Sequence, residues 1–256
     1  MLLRVDVGLH ALGIGTGAER TVIDAVAAAA ERTGFATIWA GDQLGEHDDF
    51  PPDWLDPFVT LSFVAAATNT IELATGVLPL PERNPVIVAR QAASLHRLSN
   101  GRLALGVGVG RRLAEFSSLG MPFDQHEEWF AEYVATIRAM WRDDRRFIPV
   151  ILGGNDEDSL RRVAAWGDGW YGFQLADVEE AAVCTSTLRR LCREAGRDRG
   201  DLRLAVSLRD PEPGDLRRLA DVGVDQLVLV DSPPADPLAA EAWVAGLARQ
   251  WMRVLS

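Results

Sequence analysis

Residues 71–110 read IELATGVLPLPERNPVIVARQAASLHRLSNGRLALGVGVG, and this stretch decides the fold. Two short apolar runs, Ile71–Gly76 and Leu103–Val107, bracket a helical segment predicted from Pro85 to Leu98. Asn84 is a helix N-cap residue with Pro85 at the first helical position. Ser99-Asn100-Gly101, with Arg97 in the last turn, marks the end. Strand, helix, strand at this length is a βαβ unit, so the two strands run parallel through a right-handed crossover.

The pattern repeats outward from that unit. Towards the N-terminus, apolar runs at Leu2–Leu9 and Phe35–Ala40 read as strands, with helices over Glu19–Thr33 and Phe58–Thr68. Asp56-Pro57 opens the second helix as a cap followed by proline. Towards the C-terminus, strands are predicted at Pro149–Leu152, Gly169–Gly172, Leu202–Ser207 and Gln226–Val230. Helices over Gln125–Trp141, Asp158–Trp166, Asp177–Ala195, Pro213–Val222 and Pro237–Leu255 alternate with them. Alternation throughout, with no hairpin signal and no low-complexity linker, predicts α/β architecture in one domain over residues 1–256. A (β/α)8 TIM barrel and a doubly wound sheet both produce this alternation; the length of 256 residues suits the barrel.

Composition excludes several functions. The net charge of −11 argues against non-specific nucleic-acid binding and against anionic membranes. All 26 basic residues are Arg, so a Schiff-base lysine and a P-loop lysine are both absent. Cys184 and Cys192 fall on one predicted helix, roughly 12 Å apart at ~1.5 Å rise per residue and beyond disulfide reach. Unpaired thiols, no charged leader before a long apolar region and no long apolar segment lead us to expect a soluble cytoplasmic protein. No histidine–carboxylate spacing of the H-E-x-x-H kind occurs, so no metal is expected.

The wording TGVLPL-x3-NPVIVARQAASLHRLSNGRLALGVGVG closely resembles the matching segment of the luciferase-like flavin and deazaflavin oxidoreductases. The resemblance implies a TIM barrel that holds coenzyme F420 or, alternatively, FMN. It implies a non-prolyl cis peptide at Gly76-Val77, forming a bulge behind the cofactor ring. It also implies an acidic residue near the ring at Asp42, and a Gly153-Gly154-Asn155 turn against the ribityl-phosphate end. A glycine turn feeding a helix N-terminus is a natural phosphate site, although Asp156, Glu157 and Asp158 in the first turn oppose an anion. The sugar-phosphate dehydrogenase branch carries a His after the acid and a Glu after strand four; here those places hold Gln43 and Arg111. Gln accepts no proton and Arg stays protonated, which argues against that chemistry. Family members also carry an inserted lid between helix four and strand five, and this chain is shortened there.

Ligands of such barrels sit at the C-terminal strand ends. His10 and Asp42 are therefore the candidate catalytic residues, His10 for proton transfer. Asp42, Gln43, Gly76, Val77, Gly108, Gly110, Gly153, Gly154 and Asn155 are the candidate cofactor contacts, with the Gly106–Gly110 glycines letting backbone approach a flat ligand. A dinucleotide fingerprint is not complete there, because the third glycine is misplaced. Arg111, Trp170 and Phe173 are candidate substrate-lining residues, and Arg112 and Glu115 approach the mouth. Three functions remain open. One is an F420-dependent oxidoreductase transferring hydride to or from a small organic substrate. The second is an FMN-dependent monooxygenase served by a separate flavin reductase. The third is a flavin-binding barrel without turnover. Small residues at Ala65–Ala67 and Ala92-Ala93 lead us to expect a homodimer through helices two and three, as the resemblance implies.

Overall fold

A computed structural model describes residues 5–43, 54–110, 112–142 and 147–252. In chain order, the first half contains β1 (Asp6–Leu12), α1 (Arg20–Thr33), β2 (Thr37–Ala40), α2 (Pro57–Ala67), β3 (Glu72–Thr75), β4 (Leu78–Pro79), α3 (Pro85–Leu98) and β5 (Leu103–Gly108). There follow α4 (Leu113–Ser118), α5 (His126–Trp141), β6 (Val150–Gly153), α6 (Glu157–Trp166), β7 (Gly169–Leu175) and α7 (Val178–Glu194). The chain ends with β8 (Arg203–Leu208), α8 (Asp215–Val222), β9 (Gln226–Val230) and α9 (Pro237–Trp251).

Every strand pairing is parallel, and β1 pairs with both β2 and β9, which closes the sheet. The short β3 and β4 both pair with β5, as two halves of one barrel strand. Eight strand positions therefore form a closed (β/α)8 TIM barrel. The interruption falls at Gly76-Val77, whose peptide bond is cis. Beneath it the strands approach closely. A Cβ on Gly106 would lie 1.9 Å from the Thr75 carbonyl oxygen, and the Thr75 hydroxyl donates to the Gly106 carbonyl at 2.6 Å.

Local chemistry explains the helix starts. The Asp56 carboxylate accepts from the Phe58 and Val59 amides, and the Asn84 side chain accepts from Val86 and Ile87, each with proline at the first helical position. Arg102 then ties the segment ahead of β5 to its neighbours, donating to the carbonyls of Ala65, Thr68, Ile71 and Ser99 and to the Thr68 hydroxyl. Five donors in a rigid fork suit that task.

The apolar side chains divide by strand parity. Val7, Leu9, Ile38, Leu73, Leu105, Leu152 and Trp170 belong to the large shell shared with the helices. Trp39, Ala74, Ile151, Tyr171, Ala205 and Val228 fill the barrel interior. Inside, the Trp39 ring stacks on Tyr171 with centroids 4.4 Å apart. The Trp39 indole donates to the Gln226 side chain at 3.0 Å, whose amide donates on to the Thr37 hydroxyl at 3.0 Å. This packed middle separates the two barrel ends, as in a filled barrel rather than a pore. Of the described residues, none belongs to a helix long and apolar enough to cross a membrane.

Candidate active site at the C-terminal mouth of the barrel

A cavity of ≈ 750 Å³ opens at the C-terminal strand ends, lined in part by His10, Asp42, Trp54, Val77, Glu115 and Phe173. A second hollow of ≈ 250 Å³ adjoins it and shares Val77, Pro79, Gly110, Gly153, Gly154 and Phe173. The pair brings together nearly every candidate residue: His10, Asp42, Gln43, Gly76, Val77, Gly110, Gly153, Gly154 and Phe173 in the larger part, Gly108 and Asn155 in the smaller. Arg111 lies outside the described residues. A further cavity of ≈ 470 Å³ sits at the opposite end of the barrel. Three of its acids are held by their own partners: Glu72 by Arg203, Asp168 by Arg138 and the Val150 amide, and Asp225 by the Leu204 amide.

The glycines of β5 and β6 serve a purpose that their spacing did not reveal. A Cβ on Gly108 would lie 3.0 Å from Val77 Cγ2, and one on Gly153 equally close. They clear space for the Val77 side chain, and Val77 with these glycines forms an uncharged shelf across both parts of the cavity. At one end of the shelf stands His10. It lies within β1 rather than after it, because the strand continues to Leu12, and it is only 4% exposed. Its Nδ1 is 3.3 Å from the Tyr171 hydroxyl, and its Nε2 has no hydrogen-bond partner among the described residues. Burial pulls the imidazole pKa from 6.5 down to about 4, so the ring is neutral at physiological pH.

The sequence profile of the luciferase-like monooxygenase family matches residues 9–209, most of the chain. The chain belongs to that family. Among its relatives is a 5,10-methylenetetrahydromethanopterin reductase of Methanolobus tindarius, 35% identical over 196 residues (69% of this chain and 57% of the relative). Another is the F420-dependent hydroxymycolic acid dehydrogenase of Mycobacterium tuberculosis, 29% identical over 196 residues (67% of this chain, 54% of the relative). Similar solved structures include monooxygenase RslO1 from Streptomyces bottropensis, TM-score 0.78 at 17% identity, covering 98% of this chain and 100% of the other. The coenzyme F420 dependent tetrahydromethanopterin reductase from Methanopyrus kandleri gives TM-score 0.75 at 16% identity, covering 98% and 99%. At those identities the two structures show the shared fold alone.

Within this luciferase-like barrel several assignments need correction. Trp170 does not line the cavity. It is fully buried in the shell between barrel and helices, and its indole donates to the Gly154 carbonyl at 2.8 Å. Side chains alternate along a strand, so Tyr171 and Phe173 face inward together and Trp170 faces out. Asp42 is at the mouth, yet its carboxylate is gripped by Arg83, which donates through Nε to Oδ2 and through Nη2 to Oδ1, both at 2.9 Å. Arg83 also holds Asp56 at 2.8 Å. Burial lifts the Asp42 carboxyl above its usual range and the Arg83 fork opposes that rise. The pair shapes the wall of the site and leaves Asp42 poorly placed to carry a proton.

Two further features were not legible. Glu82, buried behind Glu115, has its carboxyl pushed up to about 8 by burial and then by the Glu115 and Asp42 charges. The anion cradle expected at α6 is closed by the chain itself: Asp156 accepts from the Ser159 amide at 2.8 Å and from its hydroxyl at 3.1 Å. Glu157 turns away to Arg190 and Arg161. Asn155 stays at the cavity, its amide on the Phe173 carbonyl at 3.0 Å and its Oδ1 without a partner among the described residues.

Proposed function

We propose that this protein binds coenzyme F420 and transfers hydride between the deazaflavin and a small organic substrate. One observation carries the reading. The uncharged Val77–glycine shelf meets a buried, neutral imidazole that lines the same cavity, its Nε2 without a hydrogen-bond partner among the described residues. A flat tricyclic ring fits a shelf on which any Cβ at Gly108 or Gly153 would press on Val77. Gly153, Gly154 and Asn155 would hold the ribityl side chain, with the orphaned Asn155 Oδ1 accepting from its hydroxyls. When bound, the deazaflavin supplies or accepts a hydride. His10 orients the substrate through Nε2, while Trp54, Phe173 and Ile14 exclude water from it. The F420-dependent relative supports the choice of carrier. An FMN-dependent monooxygenase is the competing reading, and the short connection from Trp141 to Val150 counts against it, because oxygen chemistry on a flavin needs water kept out.

The partner we propose is a second copy of this chain on α2 and α3. The α2 sequence PFVTLSFVAAA is apolar on every face, which suits a helix covered on both sides. Val59, Phe63, Val86, Ile87 and Leu98 stand exposed on the two helices. Sedimentation of the full chain and of Val59→Asp tests this, with a dimer expected for the first and a monomer for the second. A monomeric full chain refutes it.

The function is tested by titrating the purified protein with coenzyme F420 and separately with FMN, following quenching of its eight tryptophans. Saturable binding of F420 in preference to FMN is expected. Preference for FMN moves the assignment to oxygen chemistry with a separate reductase, and binding of neither overturns both.

A further inference from the structure

We propose that Gln174 is a specificity-determining residue, turned into the barrel mouth by a bulge in β7 so that its carboxamide binds a hydroxyl or amide group of the substrate. β7 and β8 pair Gly172 with Val206 and then Leu175 with Leu208, so Phe173 and Gln174 together stand opposite Ser207 alone. Two residues against one is a β-bulge, which re-aims side chains at the rims of barrels. Parity gives the direction. Val206 and Leu208 belong to the outer shell, so Ser207 between them faces inward. Tyr171 fills the interior, yet Leu175 is back in the outer shell. An unbroken strand would keep those two on one face. The extra residue therefore brings Phe173 and Gln174 to the inner face together, and both line the larger part of the cavity.

The bulge holds Gln174 at φ 56°. Glycine takes that left-handed region readily, Asn and Asp less often, and other residues only under strain. Elsewhere among the described residues the chain follows this rule, since positive φ falls on nine glycines and on Asn100. Gln174 breaks it where a glycine would relax the backbone. The bulge is locked through main-chain atoms. Ser207 Oγ accepts the Gln174 amide at 2.7 Å, the Gln174 carbonyl accepts Arg209 Nε at 3.3 Å, and the Phe173 carbonyl accepts Asn155 Nδ2 at 3.0 Å. None of these bonds uses the Gln174 side chain, whose carboxamide has no hydrogen-bond partner among the described residues. A strained residue with an idle polar side chain at a cavity points to a ligand.

The carboxamide offers an accepting oxygen and two N–H donors without charge, so it matches a neutral group that donates and accepts at once. Gln174 shares its part of the cavity with Ile14, Val230 and Ser232, away from the small hollow beside Gly108 and Asn155. That the bound group belongs to the organic substrate rests on the function proposed above; the preference of the cavity for it does not. The test uses the full-length, cofactor-free protein and two probes, cyclohexanone and 4-hydroxycyclohexanone, with dissociation constants from ligand-observed NMR titrations. The wild type should bind the hydroxylated ketone about fivefold more tightly, the equivalent of one hydrogen bond. In Gln174→Ala and Gln174→Gly that ratio should fall to about one. Urea midpoints give the control: Gln174→Gly should rise above the wild type, because glycine relaxes the left-handed backbone. A wild-type ratio near one, or no binding of the hydroxylated probe, overturns the proposal. So does a preference that survives in Gln174→Ala. A lowered midpoint or failure to fold in Gln174→Gly also overturns it, because the side chain then holds the bulge itself. None of these titrations needs F420, so the present proposal and the cofactor assignment fail separately.

Discussion

Lowering the pH from 7 to 5 destabilises the barrel through His10, and His10→Gln removes that part of the loss. The unfolded chain takes up the imidazole proton near pH 6.5, whereas the folded protein takes it up only near about 4. A depressed folded-state pKa means stabilisation that is fully present above 6.5 and drains away as pH falls towards 4. With both states protonated the loss is about 3 kcal/mol, and at pH 5 it is already about 2 kcal/mol. His10 is 4% exposed, so solvent screening does not reduce this much. Other groups titrate in the same interval, and Glu82 works in the opposite sense, but they are common to both proteins. The assay is urea unfolding of wild type and His10→Gln at pH 5 and pH 7, followed by tryptophan fluorescence with equal m-values required. The wild type should lose about 2 kcal/mol more than the variant. Equal losses in the two proteins would refute the burial of a neutral imidazole.

Gly106→Ala places a Cβ 1.9 Å from the Thr75 carbonyl oxygen at the β3–β5 seam, so it should cost at least about 3 kcal/mol or prevent folding, as read from the urea midpoint. Asp42→Asn breaks the fork with Arg83 but leaves Asp56 in place, and should cost about 2 kcal/mol; a loss of F420 binding with no loss of stability would show that Asp42 touches the cofactor instead. Glu82→Gln should flatten stability against pH. The raised carboxyl contributes stability that is complete below 4.5 and lost as pH rises through about 8, so the variant gains on the wild type between pH 6 and 9. A thermal midpoint difference that stays constant over that range would show Glu82 ionised throughout. Asn155→Ala should weaken F420 binding about tenfold with under about 1 kcal/mol of destabilisation, measured by the same quenching titration and by urea unfolding.

Local signals carried the architecture. The helix at Pro85–Leu98 and the strand at Gln226–Val230 lie where cap and periodicity place them, because the Asn84 cap and the apolar run are decided within a few residues. The short helix Leu113–Ser118 and the split of the third strand were not read, since neither has a period to detect. The site divides in the same way. That its candidates cluster at one barrel mouth followed from counting strand ends. What each side chain does there depends on partners far along the chain: Asp42 on Arg83 41 residues away, His10 on Tyr171 161 residues away. One error was avoidable. Trp170 and Phe173 are three apart, so a regular strand cannot turn both to one cavity, and parity alone would have chosen Tyr171. The glycines of Gly106–Gly110 and Gly153 show the remaining difficulty. Their spacing suggested room for a ligand, but the room is taken first by Val77, a residue of the chain itself. The ligand then meets a surface that this side chain builds. A glycine in a sequence announces a close approach without saying of what, and only the closed barrel supplies the approaching group.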